Sequence, residues 1–313
     1  MTMNWLTIVI PTYNRAEVLK KVLDGYKSQS ASEAIAELIV VDDGSTDHTK
    51  IVIKDAGKNC TFPVRHIWQP NRGPAAARNV GIREARSELM LFSDSDIVPA
   101  EDLVSQHLKS HRENPANSSA VLGYVTWPPQ PKPTPFMKWY GEEGAMFAYR
   151  RFRHGAQLSF LDFYTCNVSL KTAFLRDCGQ FDEDFKSAAY EDIELAYRLS
   201  KSGLRLHFNR EAVGYHHQFF AFNDACMKVK ANSLAARVFL SKEAGQAVLA
   251  PRLRRRSFLW FRAATLAAKG IATALKPAMR LVDSSMPLPS IVYRLLFWNS
   301  TSRLLQSAEG RRS

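Results

Sequence analysis

The chain has 313 residues, 46% of them apolar, and a formal net charge of +12. That length allows one large α/β domain with an extension, or two domains, and the composition is ordinary for a globular protein. Its four cysteines (Cys60, Cys166, Cys178 and Cys226) form no CxxC pair, which argues against a disulfide framework and for a reducing compartment.

The chain opens "MTMNWLTIVIPTYNR", without the basic start and long apolar core of a signal peptide, so "WLTIVI" reads as a first strand. Val18, Leu19, Val22, Leu23 and Tyr26 then recur at helical spacing across residues 15 to 29. "ELIVV" is the next strand. "DDGSTDHT" supplies turn residues, with Ser45 or Thr46 expected to cap a helix. "VRHIW" is a third strand, "GPAAARNVGIREAR" a helix entered through Gly73-Pro74, "LMLF" a fourth strand, and Leu103 to His111 another helix. Strands alternating with helices predict a mainly parallel sheet with helices on both faces, and in such sheets ligands sit at the carboxyl ends of the strands. Pro11 to Arg15, Asp42 and Asp43, and Asp94 and Asp96 all follow such ends.

Residues 126 to 140, "TWPPQPKPTPFMKWY", combine five prolines with large aromatics. This composition makes either a rigid cover over a cleft or a surface loop packed by its own rings. Glu191 and Asp192 open a helix with apolar positions Ile193, Leu195, Ala196 and Leu199, and "EAVGYHHQ" ends a later strand at His216 and His217.

The sequence has no GxGxxG after a strand, no phosphate-cradling GxxxxGK[ST], no HExxH, no zinc-finger spacing and no GxSxG elbow. The chemistry must then rest on carboxylates, a histidine and backbone groups. Asp94 and Asp96, one residue apart at a strand end, repel one another unless a cation sits between them, and Mg2+ or Mn2+ suits such oxygen donors.

Six stretches carry a resemblance: "TIVIPTYNR", "LIVVDDGSTD", "NRGPAAARNVGI", "LFSDSD", "FDEDF" and "YEDIELAYRL". Together, across about residues 5 to 217, they resemble the family 2 glycosyltransferases, GT-A-fold enzymes that transfer sugars from nucleotide-sugar donors with inversion. The resemblance implies a catalytic domain over residues 1–220, with a nucleotide-sugar half at about 1–100 and an acceptor half at about 101–220. Residues 221–313 are then a basic helical extension. By the same resemblance Pro11, Thr12 and Asn14 shape the nucleotide pocket, Tyr13 stacks on the base, and Asp43 accepts from a uracil imide if the donor is a UDP-sugar. Arg78 helps hold the nucleotide end, Asp94 lies near the ribose or the metal, Asp96 binds Mg2+ or Mn2+, and His216, or else His217, approaches the metal or the phosphates. Asp192 matches the general base that deprotonates the acceptor hydroxyl, and its neighbour Glu191 orients or hydrogen-bonds the acceptor. One departure from the pattern is that Phe92-Ser93 precede Asp94 and Ile97 follows Asp96.

From Pro251 to Ser313, 12 Arg or Lys stand against Asp283 and Glu309, so this segment carries nearly all of the net charge. Arg255, Arg262, Lys269 and Lys276 recur every seventh residue, one basic stripe on a helix rich in aromatic and aliphatic residues. Charges interrupt the apolar run too often for a span, so the expectation is a peripheral contact with an anionic membrane on its cytoplasmic face, with "LPSIVYRLLFW" as a possible second anchor. The reading is an inverting transferase that moves a sugar to a glycan or lipid-linked acceptor in polysaccharide or glycolipid synthesis. A nucleotidyltransferase would share the sheet but needs a Gly-rich phosphate loop. A nucleic-acid binder using the basic tail would leave the clustered carboxylates unexplained.

Overall fold

The structure is a computed structural model that describes residues 5–144, 146–254 and 276–309. It divides into two compact units: residues 1–126 with 152–217, and residues 127–151 with 218–313. Of the basic stripe expected over residues 255–276, all but Lys276 lies outside the described residues.

The first unit is built on a nine-stranded sheet. Strand β1 (Leu6–Thr12) lies between β2 (Ile35–Asp42) and β4 (Leu89–Ser93), and β3 (Val64–Trp68) pairs with β2, all parallel. All residues of β1 and β4 are buried, as expected where helices cover both faces of a parallel sheet. Beyond β4 the sheet is mixed. β8 (Asn167–Lys171) is antiparallel to both β4 and β6 (Ser119–Thr126), and β6 runs parallel to β9 (Arg205–His216). The short strands β5 (Ile97–Pro99) and β7 (Gln157–Leu158) pair antiparallel with β9.

Period-two alternation sorts the strand residues between two layers. Leu6, Ile8 and Ile10 of β1 and Leu89 and Leu91 of β4 join one core. Leu19, Val22, Leu23 and Tyr26 of α1 (Ala16–Lys27), Ile53 of α2 (Thr49–Gly57) and Leu103 and Leu108 of α4 (Leu103–Glu113) belong to the same core. The opposite face of β1 meets α3 (Pro74–Glu84), where Gly81 lets the helix ride on Val9. Phe92 makes an edge-to-face contact with Phe181. Each of these side chains contributes about 1.5–3 kcal/mol by leaving water.

Helix α2 starts at Thr49, four residues beyond Ser45 and three beyond Thr46, the two expected caps. Ser45 and Thr46 are engaged elsewhere: Ser45 Oγ accepts the Asn14 N–H at 2.9 Å, and the Thr46 N–H donates to Asn14 Oδ1 at 2.8 Å. The cap position falls to His48, which makes no side-chain cap bond, while Asp47 accepts from the Thr49 N–H at 3.0 Å.

The expected domain boundary also shifts. Residues 127–151, read as part of the acceptor half, belong to the second unit. Trp127, Phe136, Trp139 and Tyr140 form one core there with Phe220, Phe222, Tyr293, Leu296 and Phe297. Thr134 caps α5 (Pro135–Glu142) by accepting from the Met137 N–H, and the Trp139 indole N–H donates to Ser290 Oγ at 3.0 Å. Within this unit the proline-rich stretch is therefore packed by its own rings. The helix Ser290–Glu309 turns Tyr293, Leu296 and Phe297 into that core, so the expected second anchor has those three side chains buried in protein. Among the described residues no helix is long and apolar enough to cross a membrane.

Candidate active site

Four segments of the first unit end near one another at the carboxyl edge of β1, β2 and β4. Pro11 and Thr12 are buried in the last turn of β1, paired with Val41 and Asp42, while Tyr13 just beyond them is 48% exposed. Asn14 has φ 51, a left-handed conformation that asparagine tolerates, and its side chain fastens this corner to the loop after β2.

The aspartates that end and follow β2 are both buried and bonded. Asp42 accepts from the Ser45 N–H at 2.8 Å and faces His66 Nε2 at 3.2 Å. Asp43 accepts from Gln69 Nε2 at 2.6 Å, the Arg72 N–H at 2.9 Å and the Gly73 N–H at 2.8 Å. Asp43 thus ties the end of β2 to the loop that launches α3. Gly73 has φ 92, and a Cβ there would come within 2.7 Å of the Lys186 carbonyl oxygen, so the close approach of this loop to residue 186 requires glycine.

Helix α3 holds the segment that leads to the acidic pair. Asn79 donates from Nδ2 to the Phe181 carbonyl and accepts the Phe181 N–H, at 2.9 and 2.8 Å. Arg78 is 2% exposed. Its Nη1 donates to Glu191 Oε1 and its Nη2 to Asp94 Oδ1, both at 2.8 Å, with the guanidinium 5.6 Å from the centre of the Phe181 ring. Burial alone would weaken the Arg78 charge. The fields of Asp94 and Glu191 more than offset it and hold its pKa above the ordinary value. Arg78, which the resemblance implies helps hold the nucleotide end, lies here as a buried clamp between two carboxylates.

Glu191 and Asp192 start α7 (Glu191–Lys201), the helix after α6 (Thr172–Cys178), preceded by Tyr190 at φ 69, a left-handed conformation that costs a non-glycine residue about 1–3 kcal/mol. Burial raises the pKa of both carboxyls. For Asp192 the Glu191 charge adds to burial, and together they push it up to about 8. A carboxyl poised there can hold or take a proton near neutral pH.

Asp96 lies two residues beyond Asp94 and is 9% exposed. His216 Nε2 approaches its Oδ2 to 3.5 Å and Arg15 Nη1 approaches the same oxygen to 3.3 Å. His217 donates its backbone N–H to the Asp96 carbonyl, and it is the His216 ring that comes to 3.5 Å from the Asp96 carboxylate. The expected trio Asp94, Asp96 and His216 does not close into one ligand set. Asp94 turns to Arg78, and among the described residues no group of three His, Cys, Asp or Glu side chains is arranged to hold a metal ion. Asp96 and His216 remain as an oxygen and nitrogen pair that fits Mg2+ or Mn2+, with water, or later diphosphate oxygens, completing the shell. That a guanidinium already sits on Asp96 Oδ2 marks the oxygen as a place for positive charge.

The convergence of these carboxylates is visible from Cys166, which is buried just before β8. Its thiol pKa is raised well above the ordinary value by burial first and then by the fields of Asp94, Asp192 and Asp96. One interior point therefore senses carboxylates from the ends of β4 and the start of α7. Sequence reasoning gave no role to Cys166, Gln69, Asn79 or Tyr190, and placed Arg15 only within the polar run after β1. Asn79 and Tyr190 had a signal, since each abuts a residue already singled out.

A model described as glycosyl transferase family 2 matches residues 7–175. Validoxylamine A glucosyltransferase of Streptomyces hygroscopicus subsp. jinggangensis is 33% identical over 232 residues, covering 67% of this chain and 54% of that protein. The chain thus spans about half the length of the first curated relatives it matches. Among solved structures, S. aureus TarS 1-349 in complex with UDP-GlcNAc aligns with a TM-score of 0.55 at 19% identity, covering 98% of this chain and 92% of that one. The mannosyltransferase PcManGT from Pyrobaculum calidifontis, in complex with GDP-Man and Mn2+, aligns with a TM-score of 0.55 at 19% identity, covering 94% and 86%. At such identities the two structures share the fold, a GT-A-type α/β sheet flanked by helices.

Proposed function

The chain belongs to glycosyl transferase family 2, and we propose that it transfers a sugar, with inversion, from a UDP-sugar to a hydroxyl of a glycan or lipid-linked acceptor. The observation that carries this reading is the arrangement of Asp94, Arg78, Glu191 and Asp192, with Asp96 and His216 at the same carboxyl edge of the sheet.

In this reading the base of the donor stacks on exposed Tyr13, and Asp43 offers its remaining lone-pair capacity to the uracil imide while its bonds to Gln69, Arg72 and Gly73 hold it still. Asp94, oriented by Arg78, faces the ribose or sugar. A divalent cation held by Asp96 and His216 would supply Lewis-acid neutralisation of the departing diphosphate. Asp192, in its ionised form, removes the proton from the acceptor hydroxyl as that oxygen attacks the anomeric carbon from the face opposite the diphosphate, which makes the product inverted. Glu191, fixed by Arg78, keeps Asp192 in its high-pKa setting and does not itself face the sugar, because adjacent helical residues point in different directions.

A panel of UDP-, GDP- and dTDP-sugars, assayed for nucleoside diphosphate release with Mg2+ or Mn2+ and after chelation, tests the proposal. Release with UDP-sugars that is lost on chelation is expected. Undiminished release after chelation removes the metal, and no release with any donor removes the activity. We also infer peripheral attachment to the cytoplasmic face of a membrane, supported by the concentration of positive charge in residues 251–313. Co-sedimentation of the full chain with anionic but not neutral vesicles at low salt is the expected result, and equal behaviour with both contradicts it.

A further inference from the structure

The carboxylate oxygen Asp96 Oδ2 is approached by two basic groups from distant parts of the chain, His216 Nε2 at 3.5 Å and Arg15 Nη1 at 3.3 Å. The two are not equivalent. The His216 side chain is 7% exposed and sits in β9. The Arg15 side chain is 42% exposed and projects from the cap position of α1. Its backbone is well fixed: left-handed Asn14 precedes it, and the Arg15 carbonyl accepts the Leu19 N–H at 2.9 Å. The Arg15 head alone can therefore leave Asp96 while the helix and the sheet stay in place.

We propose that Arg15 is the resident counter-cation of Asp96, which yields that oxygen to a divalent cation and moves onto the diphosphate of the donor. The inference rests on the reading of Asp96 as the metal-binding carboxylate. Two cations on one carboxylate oxygen repel each other, so guanidinium and metal are alternatives at Oδ2. The displaced guanidinium is a planar, permanently charged fork matched to phosphate oxygens, and a diphosphate drawn to the metal brings those oxygens to it. Before the donor arrives, Arg15 offsets the repulsion between Asp96 and Asp94, as Arg78 does for Asp94 from the buried side. On loading, one cation replaces another at Asp96, so the carboxylate is never left bare.

The test measures Mn2+ binding to the full chain by electron paramagnetic resonance, without nucleotide, for wild type, Arg15→Gln, Arg15→Lys and Asp96→Asn. Arg15→Gln is expected to bind Mn2+ about twofold to fivefold more tightly than wild type, the scale of a half-exposed ion pair, with the gain shrinking in high salt. Arg15→Lys, which keeps the charge, is expected to stay near wild type. UDP added to the Mn2+-loaded proteins should then bind Arg15→Gln about tenfold more weakly. Circular dichroism confirms that the variants fold. If wild type and Arg15→Gln bind Mn2+ equally and Asp96→Asn does not bind, the counter-cation role is overturned while the metal reading survives. If Asp96→Asn binds as wild type does, the metal reading fails and the exchange with it. A gain in Mn2+ affinity with unchanged UDP binding overturns the move to the diphosphate.

Discussion

Arg78 and Glu191 are separated by 113 residues in the chain, and their side chains meet at 2.8 Å with both groups almost fully buried. The same guanidinium reaches Asp94, so one side chain of α3 ties the end of β4 to the start of α7. Removing one member of a buried pair leaves the other charged and unsolvated, typically at about 3–5 kcal/mol. Arg78→Met should therefore lower the free energy of urea unfolding by that order. Arg78→Lys should recover only part of it, because a lysine cannot bond two carboxylates in fork geometry. Equal stability of Arg78→Met and wild type would show that the clamp is ornamental.

Asp192→Asn separates chemistry from binding. Loss of a general base lowers turnover about 10²–10⁴-fold, whereas donor affinity should hold. Stability should move the other way. The carboxyl of Asp192 holds its proton up to about pH 8 in the folded protein, against an ordinary value of 3.8, so its contribution to stability is lost as pH rises through that window. The variant has no such loss, and its advantage over wild type should widen between pH 5 and pH 8 in chemical unfolding. Near-normal turnover would move the base role elsewhere, and a flat stability difference would deny the raised pKa.

The carboxyl-edge cluster was legible because β1, β2 and β4 close on apolar runs (Ile8 to Ile10, Leu38 to Val41 and Leu89 to Phe92), each followed within two residues by polar ones. Strand ends read from such runs place Thr12, Asp42 and Ser93 at one edge without knowledge of the tertiary structure. The role of Arg78 was not legible, since an arginine on a helix shows nothing of carboxylates 16 and 113 residues away. Nor was the destination of residues 127–151, because a proline-rich aromatic stretch packs wherever other rings are available, and here those include Tyr293 and Phe297. The missed cap of α2 has a similar origin: Asn14, more than thirty residues upstream, claims the two candidate capping residues.

His107 and His111 of α4 predict an acid limit to stability. Asn167 donates its amide to the Ala212 carbonyl, which leaves its Oδ1 to accept from His107 Nε2 at 2.8 Å. Ser169 Oγ then lies 2.8 Å from His107 Nδ1 and 2.9 Å from His111 Nε2. Burial pushes His107 down to about 4 and His111 to about 3, so both stay neutral in the folded protein while the unfolded chain protonates near 6.5. Their support is whole above pH 6.5 and is lost as pH falls toward 4, at about 1.4 kcal/mol per pH unit for each histidine. Asp192 and Glu191 slope the opposite way, so the readout is the difference between wild type and His111→Gln. Unfolding at pH 7 and pH 5 should show the variant losing less. Equal losses would place a charged histidine in the fold.

Asp43 offers the last test, because it serves two purposes that can be read separately. Its carboxylate accepts the Arg72 and Gly73 N–H groups, and the proposed uracil contact uses what capacity remains. Asp43→Asn keeps the shape but offers one acceptor oxygen where the carboxylate offers two, so at least one of the two amides loses its partner. Hydrogen exchange at residues 72 and 73 should then speed up in the free protein, and UDP affinity should fall about tenfold, the scale of a hydrogen bond to a charged group. GDP affinity should fall less, since the loosened loop affects both nucleotides but only UDP loses the imide contact. Equal losses for UDP and GDP would leave Asp43 as a loop anchor alone. Faster exchange with no change in UDP binding would separate the loop from the nucleotide altogether.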